Sequence, residues 1–172
     1  IEEAKKPFII WGQGVILGQA ELEFKAFVEK SGIPAAWTIL GLSALPTTHP
    51  SNRGMVGMHG NYAPNLLTNE CDLLIAIGMR FDDRVTGILK TYAKQAKVLH
   101  LELDTAEVNK NVTADVALLT NCKISLKALT DQISIKSYPE WLKRFDDLDA
   151  IENEKVIRGD LYPTKPGITM GE

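Results

Sequence analysis

The chain has 172 residues, 45% hydrophobic and 24% charged, a mix that excludes a disordered or fibrous segment and supplies one domain with a sizeable core. Its net charge of -3 is spread along the chain, -2 over residues 1–86 (7 basic, 9 acidic) and -1 over the rest (12 basic, 13 acidic), so no basic stripe exists for nucleic acid or a membrane surface. The longest apolar run, Leu73 to Met79, has seven residues, against the roughly 18 that suggest a membrane span.

Strand-length apolar runs alternate with helix-period stretches, which predicts an α/β fold: a doubly wound, mostly parallel sheet of five to six strands with helices on both faces. The first strand is Pro7 to Trp11, followed by Gly12-Gln13-Gly14 and a helix from about Gln19 to Lys30 with Leu22, Ala26, Phe27 and Val28 on one face. Ser31-Gly32 stops that helix, and the second strand runs from Ile33 to Leu40. From Gly41 to Pro64 the periodicity disappears. A loop of that length is functional or disordered, and Met55, Val56, Met58 and Tyr62 argue against disorder. Asp72 to Gly78 is an uninterrupted apolar run, the mark of a strand covered on both faces. Strands follow at Ala96 to Leu103 and Ala114 to Leu119, then a helix from Cys122 to Ile133 with Leu126, Leu129 and Ile133 inward. A last helix, Pro139 to about Glu154, carries Trp141, Leu142, Phe145 and Leu148 on one side. Residues 1–155 are expected to form the domain, and residues 156–172, with the Pro-rich stretch Leu161 to Gly167, a linker. Starting at Ile1 rather than Met, the chain reads as a piece of something longer.

The two cysteines, Cys71 and Cys122, have no close partner and no metal-ligand spacing, so they read as reduced, buried thiols of a cytoplasmic protein. Gly12-Gln13-Gly14 stands between strand and helix, where glycines let backbone N–H groups approach a diphosphate. Gly18 comes one residue too late for the dinucleotide fingerprint and no acidic residue follows the second strand, so from this tripeptide alone a ligand-free turn is the stronger reading. Gly78 to Gly87 is more informative, because Arg80, Asp82, Asp83 and Arg84 crowd the carboxyl end of the most buried strand, where open α/β sheets bind ligands. An arginine there presents its planar fork to phosphate or its plane to a ring. Gly57-Met58-His59-Gly60 lets backbone pass close to a ligand. Glu102 at the end of the fourth strand is placed to accept ribose hydroxyls, whereas Asp104 reads better as a helix cap and His100 as structural. His49, His59 and His100 form no metal spacing.

Taken together, Gly57-Met58-His59-Gly60-Asn61 and Cys71 through Gly87 closely resemble the central domain of the acetohydroxyacid synthase (acetolactate synthase) large-subunit family, and the likeness extends from Lys6-Pro7 to Pro163-Thr164-Lys165-Pro166. The resemblance implies a thiamine diphosphate enzyme whose flanking domains hold thiamine diphosphate and Mg²⁺, and which condenses pyruvate with pyruvate or 2-ketobutyrate toward branched-chain amino acids. The middle domain would bind FAD, performing no net redox step, and would be inert alone. Implied partners are the flanking domains of the same chain, further copies in a homo-oligomer and a regulatory small subunit. The implied FAD positions are Gly12, Gly14, Thr38, Ile39, Leu40, Gly57, Met58, His59, Gly60, Gly78, Arg80, Asp82, Arg84, Val85, Glu102 and Leu103. Arg84 and Met58 would also face the substrate channel.

Two departures from the family pattern bear on the flavin. Gln13 stands where the family has a third glycine, and Thr120-Asn121 replaces its Gly-Asp pair at the adenine end, adding bulk and removing a charge while keeping an acceptor. The competing reading is a central domain of another thiamine diphosphate enzyme, empty or holding a different nucleotide; a purely structural domain would leave the Arg80 to Gly87 charges unused.

Overall fold

The computed structural model describes residues 1–161. In chain order its elements are β1 (Pro7–Trp11), α1 (Gln13–Leu17), α2 (Glu21–Ser31), β2 (Ala35–Trp37), β3 (Asn52–Met55), α3 (Tyr62–Leu67), β4 (Leu73–Ile77), α4 (Asp83–Thr86), β5 (Lys97–Glu102), β6 (Val116–Leu119), α5 (Cys122–Gln132), α6 (Pro139–Glu152) and α7 (Arg158–Leu161). The strands form one six-stranded, all-parallel sheet in the order β3-β2-β1-β4-β5-β6. The chain steps outward from β1 to β3, returns to lay β4 beside β1, and steps outward the other way. Between β1 and β4 the winding therefore reverses, and open α/β sheets bind ligands outside the carboxyl ends at such a point.

Strand alternation divides the core into two layers. Ile9, Trp11, Ile75 and Ile77 pack with Phe24, Phe27 and Val28 of α2 and Leu126 of α5. Phe8, Ile10, Leu74 and Ala76 face the other way, onto Ala63 and Leu67 of α3 and Trp141, Phe145 and Leu148 of α6. Each large apolar side chain so buried contributes about 1.5–3 kcal/mol. The Trp141 indole N–H also donates to the Pro7 carbonyl at 2.9 Å inside the core, fixing α6 to the start of β1. Both cysteines are buried, and burial pushes the Cys71 thiol up to about 12 and the Cys122 thiol up to about 11. No helix among the described residues is long and apolar enough to cross a membrane.

Several sequence expectations are corrected. The predicted loop Gly41 to Pro64 contains an edge strand, β3, whose Asn-Arg-Gly-Met sequence has no apolar alternation; it joins the sheet by pairing Ala35 with Asn52. The second strand is shorter than Ile33 to Leu40, because Ile39–Gly41 forms a 3-10 turn. Leu22 and Ala26 do not face the core: Leu22 is 81% exposed. Gln19 takes a left-handed φ of 50°, so α2 starts at Glu21 and its inward stripe is Phe24, Phe27, Val28 and Ser31. Asp104 caps no regular helix; its carboxylate accepts the Ala106 N–H at 2.9 Å within a turn. Residues 153–157 continue α6 as a π-helical turn into α7, so the first residues of the expected linker are helical. The remainder of that stretch, Tyr162 to Gly167, lies outside the described residues.

Candidate functional site

Because every strand is parallel, the carboxyl ends of β1 to β5 lie along one edge, and they deliver the sequence-selected residues there: Gly12 and Gly14, Thr38 to Leu40, Gly57 to Gly60, Gly78 to Val85, and Glu102 with Leu103. Beyond β6, Thr120 and Asn121 complete the row.

At the switch point the backbones of two strand ends touch. The Gly12 N–H donates to Ile77 O at 3.0 Å and the Gly14 N–H to Gly78 O at 2.8 Å. A Cβ on Gly12 would stand 2.6 Å from Gly78 O, and one on Gly14 would stand 2.6 Å from Gly78 Cα. These glycines are required by strand-end packing, and their N–H groups are taken up by protein carbonyls. Gln13 opens α1 with its side chain exposed, away from this contact. The neighbouring turn is equally fixed: the buried Trp11 indole donates to Gly41 O at 2.7 Å and the Thr38 N–H to Trp11 O at 2.8 Å. Ile39 and Leu40 are left exposed on the edge.

The charged segment after β4 is less constrained. Asp82 caps α4, its Oδ1 accepting the Arg84 N–H at 3.0 Å, and its other oxygen lies 3.5 Å from Arg80 Nε. Arg84 has no ion-pair partner among the described residues, and its side chain is exposed. Val85 is half-buried against the α3–α6 layer. The Gly57–Gly60 loop is joined to this segment by the Met58 N–H, which donates to Arg84 O at 2.8 Å. The Gly57 N–H goes to Asn65 and the Gly60 N–H to Gly57 O. The loop therefore presents the exposed side chains of Met58 and His59 more than its backbone. Between loop, α3 and the 83–87 turn lies a cavity of about 220 Å³, lined by Met58, Asn65, Asn69, Arg84 and Tyr92 among others.

At β5, Glu102 Oε1 accepts the Leu103 and Asp104 N–H groups at 2.8 and 3.1 Å, so one carboxylate oxygen is taken up locally. His100 is fully buried, its Nε2 2.9 Å from Met79 O and its ring against Phe81, which is a structural role at the base of the charged segment. Asn121 caps α5 through its Oδ1, which accepts the Lys123 N–H at 2.8 Å. The acceptor assigned by resemblance to an adenine thus has one lone pair engaged, leaving the other and the amide NH₂. No group of three His, Cys, Asp or Glu suited to a metal occurs among the described residues. Sequence reasoning missed Asn65 and the capping role of Asn121; an Asn just before a helix is a legible cap signal, whereas the contact of Asn65 with Gly57 is tertiary.

Residues 1–129 match the family described as thiamine pyrophosphate enzyme, central domain. The probable acetolactate synthase large subunit of Methanocaldococcus jannaschii is 42% identical over 169 residues, 96% of this chain and 28% of that protein. Acetolactate synthase 2, chloroplastic, of Nicotiana tabacum is 41% identical over 95% of this chain and 24% of its own length. The acetolactate synthase isozyme 2 large subunit of Escherichia coli K12 is 43% identical over 78% and 24%. The chain thus spans about a quarter of the length of these relatives. With its doubly wound parallel sheet and a family match over residues 1–129, the chain belongs to the thiamine pyrophosphate enzyme central-domain family.

Proposed function

We propose that this chain is the FAD-binding central domain of an acetolactate synthase large subunit, which condenses pyruvate with pyruvate or 2-ketobutyrate. One observation carries the reading: 42% identity to a probable acetolactate synthase large subunit runs over 96% of the chain, leaving only its ends outside. The carboxyl edge fits a flavin nucleotide in chemistry. Arg80 and Arg84 offer exposed guanidinium groups suited to phosphate oxygens or a ring face, and Ile39, Leu40, Met58 and Leu103 are exposed apolar side chains after other strands of the same edge. Thiamine diphosphate and Mg²⁺ belong, in this reading, to other parts of a longer polypeptide, as do the contacts that build a cytoplasmic homo-oligomer and receive a small subunit. Residues 1–155 are the domain and 156–172 lead out of it.

A second reading, a central domain without flavin, draws on the Gly12 and Gly14 N–H groups being engaged by Ile77 and Gly78. Titration with FAD, followed by flavin fluorescence and absorbance, separates the two. The flavin reading expects weak binding by the isolated chain and, in the full-length enzyme, binding that weakens about tenfold or more in Arg84→Ala, the equivalent of about 1.4 kcal/mol, and recovers in part in Arg84→Lys, which restores charge without the planar fork. No uptake by the wild type favours the second; uptake that Arg84→Ala leaves unchanged removes Arg84 from the flavin site. The isolated chain is expected to make no acetolactate from pyruvate even with thiamine diphosphate, Mg²⁺ and FAD supplied.

A further inference from the structure

Asn65, on α3, grips the residue that starts the Gly57–Gly60 loop. Its Oδ1 accepts the Gly57 N–H at 2.8 Å and its Nδ2 donates to the Gly57 carbonyl at 2.8 Å, so one side-chain amide pairs both polar groups of one peptide residue. Gly57 has a φ of +108°, and a Cβ there would stand 2.8 Å from Arg84 O. The next N–H, of Met58, reaches that same carbonyl at 2.8 Å. At the stem of the loop Asn61 accepts the Met55 N–H at 2.9 Å through Oδ1 and returns its own N–H to Met55 O at 2.8 Å. Between these anchors the side chains are free of packing: Met58 is 71% exposed and His59 is exposed.

We propose that Asn65 is a positioning residue, an amide clamp that holds Met58 and Arg84 in register across the Met58 N–H to Arg84 O bond so that their exposed side chains meet one ligand together. The inference rests on the flavin reading of this edge. The clamp acts on backbone alone. Removing the amide leaves the half-buried N–H and carbonyl of Gly57 without this partner, and an unmet buried polar group is costly. Asparagine is needed because only an amide both accepts and donates here; an aspartate keeps the acceptor but sets a carboxylate oxygen against the Gly57 carbonyl, and regains a donor only when protonated.

The test measures backbone amide exchange and FAD affinity in the 172-residue chain for wild type, Asn65→Ala and Asn65→Asp. Exchange at Gly57 and Met58 should quicken about tenfold in Asn65→Ala while Ile75 and Ile77 in β4 stay protected, and FAD affinity should fall about fivefold or more. Asn65→Asp should be impaired at pH 7, because its carboxylate keeps the acceptor for the Gly57 N–H but offers no donor to the Gly57 carbonyl. Unchanged Met58 exchange in Asn65→Ala overturns the clamp, whatever FAD does. Lost protection with unaltered FAD affinity overturns the positioning role. If the wild type takes up no FAD, the flavin reading fails by itself, and quickened Met58 exchange in Asn65→Ala still supports the clamp. Should Asn65→Ala not fold, Asn65→Asp decides at pH 7: Met58 exchange equal to that of the wild type overturns the clamp.

Discussion

Gly78 and Gly87 bound the same charged segment with nearly the same left-handed φ, +55° and +57°, in opposite surroundings. A Cβ on Gly78 would lie 2.7 Å from Gly14 Cα and 2.9 Å from Val15 N, whereas one on Gly87 would meet nothing within 4 Å. The first belongs to the packed switch point between β1 and β4, where strand ends rest backbone on backbone. The second belongs to a rim whose side chains pack little. Residue identity at the switch point is thus explained by the fold. At the rim, Arg84, Met58 and His59 are exposed and Arg80 pairs only with Asp82, so packing does not dictate their identity.

The largest expected effect tests the packed side. Gly78→Ala should destabilise by about 3 kcal/mol or more, since backbone strain and an overlap that neither strand can relieve act together. Urea unfolding would read it as a fall in midpoint with unchanged slope. Gly87→Ala should lose only the strain of its positive φ, about 1–2 kcal/mol. Equal losses at the two positions would erase the distinction between switch point and rim.

How much of this was legible follows the same division. The strands at the centre were readable because continuous apolar runs such as Leu73 to Ile77 admit few alternatives. β3 was not, since Asn-Arg-Gly-Met carries no period, and its place comes from pairing with β2 and from the Arg53 bond to Asp146 on α6 at 2.5 Å. The carboxyl-edge location of the candidate residues after β1, β2, β4 and β5 was legible from strand ends, that of Gly57 to Gly60 was not because β3 was not, and neither was the packing of Gly12 and Gly14. Glycine spacing signals close backbone approach without naming what approaches, and here it is Gly78. Asn65 was invisible for a related reason: its partner, Gly57, is chosen by the path of a loop.

A smaller effect is expected at the rim. Arg84→Ala should change unfolding free energy by no more than about 0.5 kcal/mol, because the side chain is exposed and no ion pair holds it among the described residues. A loss of several times that would make Arg84 part of the packed region and remove the argument that it serves a ligand.

The smallest effect sharpens the comparison at a group of intermediate kind. Asp149 on α6 is half-buried, and burial raises its carboxyl above the ordinary range; Arg53 opposes this, while Glu152 and Asp146 reinforce it. Around it Arg53 is already bonded to Asp146, and the Asn61 amide reaches Glu152 at 3.4 Å, so the surplus charge is negative. A carboxyl whose folded pKa is raised contributes stability that is fully present below its unfolded pKa, near about 4, and is lost as pH rises through the folded value. Asp149→Asn removes the charge and keeps the shape. The variant should therefore gain on the wild type as pH rises from about 4 to 7, by about 0.3 kcal/mol or less because water screens a half-exposed group. Melting temperatures of the pair at the two pH values measure the difference. A variant less stable than the wild type at pH 7 would mean that attraction to Arg53 outweighs desolvation, and would place Asp149 with the fixed contacts that tie α6 to β3.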